Sequence, residues 1–325
     1  MIVLLHPAPA YGAVERYVEA IARGLREETV LLHPGVEEFE SLPVRSIRIE
    51  PSVAGIARFL RASRPRLVHV TDVWPQALVA ARLARVQRIL VTHHTPELPR
   101  RDNLAGRFWQ HLGWATRPEV IYTSEADRER DGRTPSHVVP LGIDVKRFAS
   151  GRPALDKRDG RPLVGNVARL AEQKDHRTLL EAAALVPEVD FVIAGDGELR
   201  GELERTTGPN VRFLGSRTDV PDILASLDVF AFPSLFEGLC LAVIEAQVAG
   251  VPVVATAVGG IKETVVEGET GLLVPLRDPE ALASAIRRLL EHPYEAARLA
   301  AEARRRALER YSEERMVSGT LALYG

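Results

Sequence analysis

The chain has 325 residues, which is more than one hydrophobic core usually serves, so two domains are expected. Its single cysteine, Cys240, excludes an internal disulfide and a zinc site built from cysteines, and it is typical of a reducing cytoplasm. The net charge of −2 argues against nucleic-acid binding. The sequence shows neither a secretory signal pattern nor the run of ~20 apolar residues that spans a bilayer.

Short runs of β-branched residues alternate with longer helical patterns in the first half, as in parallel α/β layers. The predicted strands of this half are Ile2–Leu5, Val30–Leu32, Val44–Ile49, Leu67–Val70, Arg88–Val91, Val120–Tyr122 and His137–Val139. The predicted helices include Val14–Leu25, Val53–Ala62 and Gln76–Ala84.

The same alternation continues in the second half. The predicted strands there are Leu163–Val167, Asp190–Ala194, Val211–Phe213, Val229–Phe232, Val253–Ala255 and Gly271–Val274. The predicted helices include His176–Leu185, Leu239–Val248 and Pro279–Leu290, and Tyr294–Tyr324 consists almost entirely of helix formers.

A polar stretch, Ala149–Arg161, separates the two halves with two glycines, one proline and six charged residues. We therefore expect a first domain over 1–150, a second over 151–310, and a helix in 311–325 that crosses back to the first. Both domains are predicted to be Rossmann-like, doubly wound parallel sheets. Ligands of such sheets lie beyond the carboxyl ends of the strands, and two facing edges would form a cleft.

Two glutamates eight residues apart, Glu237 and Glu245, follow the predicted strand Val229–Phe232. A helix starting between them would direct the unpaired amides of Gly238, Leu239, Cys240 and Leu241 toward an anion. A diphosphate on these amides, sugar hydroxyls on Glu237 and ribose hydroxyls on Glu245 form a coherent arrangement. The alternative is a helix with one acidic N-terminal residue and one solvated glutamate.

Several motifs together resemble glycosyltransferase family 4, the retaining GT-B enzymes. They are Glu237-Gly-Leu-Cys-Leu-Ala-Val-Ile-Glu245, Gly259-Gly-Ile-Lys-Glu263, Gly271-Leu-Leu-Val-Pro275, Gly165-Asn-Val-Ala-Arg-Leu-Ala-Glu-Gln-Lys174, Gly195-Asp-Gly197 and Val138-Val-Pro-Leu-Gly-Ile-Asp-Val-Lys-Arg-Phe148. The resemblance covers essentially the whole chain. It implies two Rossmann-like domains facing across a cleft, with the donor bound mainly by the second.

The resemblance assigns Arg169 and Lys174 to the donor diphosphate, where cations would offset the charge of the leaving group. The alternative is a surface ion pair with Glu172 or Asp175. Gly195 matches a turn of the donor domain, and Arg217 falls near the position of the nucleotide base.

In the first domain, the family's Thr-x-His pattern maps onto Thr92 and His94, which the resemblance implies lie beside the transferred sugar. Adjacent histidines on a strand point in different directions, so His93 is the second choice. The alternative is a strand-end histidine held by backbone. Without a third ligand nearby, the two histidines do not make a metal site.

Weaker signals also fall in the first domain. Gly12, preceded by Tyr11 where the family has another glycine, either approaches a phosphate or makes an ordinary turn. Ser124 is predicted as a helix N-cap or a cleft residue. Arg100 and Arg101 lie in a basic loop that is either solvated or in contact with the acceptor, and peripheral membrane contact is one expectation for this half.

The function implied is retaining transfer of a sugar from a nucleoside diphosphate sugar to an acceptor hydroxyl. No D-x-D triplet occurs, so a metal-independent site with no cofactor beyond the donor substrate is expected. An epimerase or hydrolase of nucleotide sugars is the enzymatic alternative. The other alternative is a non-catalytic subunit that binds a sugar nucleotide. The intact pairs Glu237/Glu245 and Arg169/Lys174 argue against it, because such a subunit need not keep them.

Overall fold

The computed structural model describes residues 1–7, 13–94 and 104–325, and they form two compact units. Unit 1 comprises Met1–Gly142 and Glu313–Gly325, and unit 2 comprises Ile143–Ser312. The division therefore comes before the polar stretch that suggested a boundary at 150. Ile143 belongs to unit 2 because its amide donates to Tyr311 O at 2.9 Å and it forms a parallel bridge with Ser312.

Unit 1 is built on a parallel sheet of seven strands in the order β3-β2-β1-β4-β5-β6-β7. Its strands are β1 Ile2–Leu5, β2 Thr29–His33, β3 Arg45–Arg48, β4 Leu67–Val70, β5 Arg88–His93, β6 Glu119–Tyr122 and β7 Ser136–Val138. The central strands β1 and β4 are buried along their whole length, as expected for a sheet covered on both faces.

Unit 2 is built on a parallel sheet of six strands in the order β10-β9-β8-β11-β12-β13. Its strands are β8 Leu163–Val167, β9 Asp190–Ala194, β10 Val211–Gly215, β11 Val229–Phe232, β12 Val253–Thr256 and β13 Leu272–Val274. The predicted doubly wound parallel architecture is confirmed for both units.

Helices connect the strands in both units. They are α1 Ala13–Gly24, α2 Val53–Ser63, α3 Pro75–Leu83, α4 Leu104–Trp114, α5 Glu125–Asp131, α6 Val145–Ala149, α7 His176–Leu185, α8 Arg200–Thr206, α9 Val220–Ala225, α10 Leu241–Ala249, α11 Ile261–Thr264, α12 Pro279–Glu291, α13 Pro293–Arg310 and α14 Glu313–Ala322. The predicted helical stretch Tyr294–Tyr324 is thus two helices, of which α13 belongs to unit 2 and α14 to unit 1. Among the described helices, none is long and apolar enough to cross a membrane.

The strand order reverses once in each sheet, between β1 and β4 in unit 1 and between β8 and β11 in unit 2. Loops leave the two strands at such a point in opposite directions, so a crevice opens at their carboxyl ends. Residues that directly follow β1, β4, β8 and β11 are therefore the first candidates for ligand contacts.

Candidate active site

In unit 2, the segment after β11 leads through an irregular loop into α10. The helix begins at Leu241, two residues later than predicted, because Cys240 is extended (φ −82°, ψ 100°) and offers no side-chain cap. Glu237 therefore precedes the helix, while Glu245 lies half-buried in its second turn. The site predicted around these two glutamates thus spans a loop and one helical turn.

Glu237 is buried and forms an ion pair with Lys174, whose Nζ lies 2.5 Å from Glu237 Oε1. Lys174 ends a short 3₁₀ turn in the loop after β8, so the pair joins the two strands at the point where the order reverses. Ser234 Oγ donates to the same Glu237 oxygen at 2.6 Å. The pair is held within the predicted ligand edge.

The predicted alternative for Lys174, a local ion pair with Glu172 or Asp175, is wrong. Both carboxylate oxygens of Glu172 accept a hydrogen bond from Arg177 Nη1. Asp175 Oδ2 accepts a hydrogen bond from the hydroxyl of Thr178 at 2.7 Å. Lys174 instead reaches a carboxylate 63 residues away in sequence. Its ammonium also lies 5.2 Å from the centre of the Phe232 ring.

Backbone and side-chain bonds hold the two loops together behind this pair. Leu235 N donates to Gln173 O and Gln173 Nε2 donates to Phe236 O, both at 2.8 Å. Asn166 Nδ2 donates to Ala231 O at 2.8 Å. His176 Nε2 lies 3.0 Å from Asn166 Oδ1. The position of Lys174 relative to Glu237 is therefore set by a bonded frame rather than by the ion pair alone.

Burial is the main reason why the pKa of His176 is lowered to about 4, and the charge of Lys174 adds to the effect. The imidazole is therefore neutral at pH 7 and donates to Asn166 without adding a charge beside Lys174.

The amides of Gly238, Leu239, Cys240, Leu241 and Ala242 donate to no acceptor in the described part of the chain. Free amides before and within the first turn of a helix carry partial positive charge. They lie between Glu237 and Glu245 in the sequence, as the motif predicts. Burial raises the pKa of the Cys240 thiol, so this side chain stays neutral beside them.

Two glycines at this edge are required by close backbone approach. Gly259 has φ +43°, and a Cβ built there would lie 1.9 Å from Glu237 O. Gly195, which follows β9, has φ +143°, and its Cβ would lie 1.9 Å from Ala168 O. This geometry explains why glycine is needed at position 195. It does not test the predicted donor-binding role of Gly195.

The two remaining cations predicted for the donor lie beyond strand ends of the same sheet. Arg169 follows β8, is exposed, and forms no ion pair with a described residue. Arg217 follows β10, is exposed, and pairs with Asp219 at 2.5 Å. Arg169 is therefore available to an anion, whereas Arg217 would first have to leave its partner.

In unit 1, His93 ends β5 and His94 follows it, and both are at least nine-tenths buried. His94 Nε2 donates to Thr71 O at 2.8 Å, so in the neutral ring the buried Nδ1 keeps its lone pair as an acceptor. This nitrogen has no partner among the described residues. Burial lowers the pKa of His94 to about 4, against smaller opposing effects of the Thr71 carbonyl and Glu15.

Sequence reasoning missed His6, which follows a central strand of unit 1. His6 follows β1, lies 2.9 Å from Glu15 Oε1 through Nε2, and lies 3.0 Å from Thr71 Oγ1 through Nδ1. Burial lowers the pKa of His6 to about 4. The signal that could have found it is its place directly after the first strand, at the carboxyl edge.

Ser124 is the N-cap of α5, since its hydroxyl oxygen accepts from Asp127 N at 3.1 Å. The N-cap interpretation is confirmed for this residue. Gly12, Arg100 and Arg101 lie outside the described residues. Within the described ranges, no group of three or more His, Cys, Asp and Glu side chains could hold a metal ion.

The family model for glycosyl transferases group 1 matches residues 161–292. The lipopolysaccharide core biosynthesis glycosyltransferase LpsE of Rhizobium meliloti is 33% identical, with 96% of this chain and 95% of the relative covered.

The UDP-Gal:alpha-D-GlcNAc-diphosphoundecaprenol alpha-1,3-galactosyltransferase of Escherichia coli is 35% identical over 176 residues, 47% of this chain and 45% of that relative. The match therefore spans less than half the length of the Escherichia coli protein.

Among solved structures, Anabaena Alr3699/HepE in complex with UDP matches with a TM-score of 0.83 at 22% identity, over 99% of both chains. This likeness shows the fold, and the predicted GT-B class is confirmed. Together with the near full-length match to LpsE and the family model over unit 2, it shows that the chain belongs to the glycosyltransferases of group 1.

Proposed function

We propose that this protein transfers a sugar from a nucleoside diphosphate sugar to an acceptor hydroxyl with retention of configuration, as in glycosyltransferase family 4. The observation that carries the proposal is the Lys174–Glu237 pair at the reversal of strand order in unit 2. A cation, a carboxylate and free helix amides converge there, which is the set that a diphosphate sugar requires.

The roles follow from the chemistry of each group. The ammonium of Lys174 has three N–H bonds, so it can keep its hydrogen bond to Glu237 while it donates another to a phosphate oxygen. Arg169, exposed and without a described ionic partner, supplies a second cation. Glu237 is assigned to sugar hydroxyls and Glu245 to the ribose.

In the reaction, the bond between the anomeric carbon and the phosphate oxygen breaks and a bond to the acceptor oxygen forms on the same face. The acceptor proton passes to the leaving diphosphate, so no separate carboxylate base is demanded. Arg169, Lys174 and the amides before α10 stabilise the growing negative charge without a metal ion. His94 is assigned to the transferred sugar through its unpaired Nδ1.

The names of the relatives guide the choice of donor and setting. The Escherichia coli relative is named for UDP-Gal and for a diphosphoundecaprenol acceptor, and the Anabaena protein was solved with UDP-glucose. A uridine diphosphate sugar is therefore the first donor to test. To reach a lipid-linked acceptor, a cytoplasmic enzyme would have to contact the inner face of the membrane peripherally. We include that location in the proposal.

The test is a calorimetric panel of UDP, GDP, ADP, CDP and dTDP sugars, followed by acceptor-dependent release of the nucleoside diphosphate. A donor at one hundred times its Kd stabilises the native state by about 2.7 kcal/mol. The unfolding transition of unit 2 should therefore rise by several degrees with the cognate donor. Lys174→Ala should reduce this shift without abolishing it, and Lys157→Ala, whose pair with Asp228 is exposed, should keep it in full.

Acceptor dependence separates the alternatives. Release of the diphosphate without acceptor would favour a hydrolase or epimerase, and binding without any turnover would favour a non-catalytic subunit. The anomeric configuration of the product, read by NMR, tests retention. An inverted product would refute the assignment to family 4.

A further inference from the structure

Four buried polar side chains of unit 1 form a continuous hydrogen-bonded network, which we call the tyrosine–histidine network. Tyr324 Oη lies 2.6 Å from His69 Nδ1, His69 Nε2 lies 2.7 Å from Thr92 Oγ1, and Thr92 Oγ1 lies 3.0 Å from Tyr17 Oη. None of the four is more than 4% exposed. Such a network is costly compared with apolar packing unless every member is satisfied, so its presence requires a reason.

The first member of the network is anchored from outside it. Arg66 Nη1 donates to Tyr324 O at 2.5 Å, and Arg88 donates to Tyr324 O at 3.2 Å and to Leu323 O at 2.8 Å. Arg88 also pairs with Glu119. Two guanidinium groups thus fix the backbone that carries the Tyr324 hydroxyl, in a segment that follows α14.

The network has a direction, because His69 is neutral. Burial lowers the pKa of His69 to about 3, so one ring nitrogen donates and the other accepts. If Tyr324 donates to Nδ1, then Nε2 donates to Thr92 and Thr92 donates to Tyr17. If Nδ1 carries the proton, every bond reverses. The state of Tyr324 at one end therefore sets the hydroxyl of Tyr17 at the other.

The far end of the network contacts the candidate site. The Tyr17 ring packs edge-on against the His94 ring, with centroids 4.9 Å apart and planes at 75°. Thr92 lies two residues before His94, which directly follows β5. Two members of the network are therefore next to His94 in space or in sequence.

We propose that Tyr324 is a positioning residue for His94, acting through His69, Thr92 and Tyr17. This inference rests on the proposed function, which assigns His94 to the transferred sugar. Tyr324 fixes the tautomer of His69, and the resulting hydroxyl directions hold the Tyr17 ring against the imidazole of His94. The segment after α14 thereby contributes to the site although it supplies no group that touches substrate.

The experiment compares Tyr324→Phe, which keeps the ring and removes the hydroxyl, with Tyr294→Phe, whose ring is 93% exposed. Imidazole ¹⁵N signals report the tautomers directly, and His94→Gln identifies the His94 signals by their loss. In Tyr324→Phe we expect the signals of both His69 and His94 to move. We also expect kcat to fall about tenfold, with the donor KM within about twofold, since misplacement of a site group mainly affects the reacting geometry.

Unchanged His94 signals and unchanged kcat in a folded Tyr324→Phe would overturn the proposal and leave the tyrosine–histidine network with a packing role. If Tyr324→Phe does not fold, Thr92→Val and Tyr17→Phe interrupt the same network and are read by the same signals. His94 signals that no folded variant moves would also overturn it. Wild-type kcat in His94→Gln would instead refute the role of His94 in the proposed function, while the coupling from Tyr324 to His94 stays measurable by NMR.

Discussion

Replacing Lys174 by alanine removes the cation from the Glu237 carboxylate and leaves the Ser234 hydroxyl as its one donor among the described residues. The side chains of Lys174 and Glu237 are 18% and 8% exposed. Breaking a fully buried pair in this way costs about 3–5 kcal/mol. Because water still reaches Lys174, we expect a loss of about 2 kcal/mol in the stability of unit 2.

The effect on catalysis should be larger than the effect on donor binding. Charge on the leaving diphosphate grows as the bond to the sugar breaks, so the contact from Lys174 strengthens in the transition state. Losing a preorganised charge partner of this kind costs on the order of 3 kcal/mol, about a hundredfold in rate. Steady-state kinetics with the cognate donor should therefore show a fall in kcat of that size and a smaller change in KM.

The matched control is Lys157→Ala. Lys157 also binds a carboxylate, with Nζ 2.7 Å from Asp228 Oδ1, but the two side chains are 39% and 34% exposed. Exposed pairs contribute ~0–1 kcal/mol, so stability and kcat should stay near wild type.

A double variant tests whether Lys174 only neutralises Glu237 or also stabilises the transition state. Adding Glu237→Gln to Lys174→Ala removes the unpaired carboxylate, so stability should recover, while kcat stays low because both proposed donor contacts are then absent. If kcat recovers as well, Lys174 serves only to neutralise Glu237. A rise in KM alone in Lys174→Ala would likewise refute a role in the transition state.

Further predictions follow from geometry and charge. Gly259→Ala should destabilise unit 2 by several kcal/mol in chemical denaturation, because the new methyl group would collide with Glu237 O; near wild-type stability would refute this close approach. Arg169→Lys should lower kcat, since an ammonium cannot reproduce a two-pronged guanidinium contact, and unchanged kcat would remove Arg169 from the diphosphate. Buried His69 and His94 have pKa values lowered to about 3 and 4, so unfolding takes up protons below pH 6.5. Calorimetry should therefore show that unit 1 loses stability between pH 6.5 and 4 and is fully stabilised by these groups above pH 6.5. Activity should persist in excess EDTA, and a loss restored by magnesium or manganese would reveal a metal site.

Strand-end reasoning placed Lys174 and Glu237 at one edge of the sheet of unit 2, because parallel strands bring their carboxyl ends to one side. It identified Lys174 and Glu237 separately, since each follows a strand of unit 2. It did not predict that they pair, because β8 and β11 are neighbours only once the strand order is known. The local alternatives for Lys174 failed for the same reason.

Other errors came from signals too weak to read locally. The start of α10 was placed early because Gly238-Leu-Cys240 contains no side chain that marks an N-cap. His69 lies in the run Leu-Val-His-Val, which reads as an ordinary strand. Its partners Thr92 and Tyr324 are 23 and 255 residues away, beyond any local pattern.

The assignment of Glu313–Gly325 to unit 1 has a consequence for synthesis on the ribosome. Unit 2 is encoded without interruption, so all of its residues have been translated while unit 1 still lacks α14 and Tyr324. Nascent domains generally fold in the order in which they emerge. Unit 1 must therefore wait with His69 and the surface under α14 uncovered until the residues of α14 and Tyr324, which follow unit 2 in the chain, have been translated.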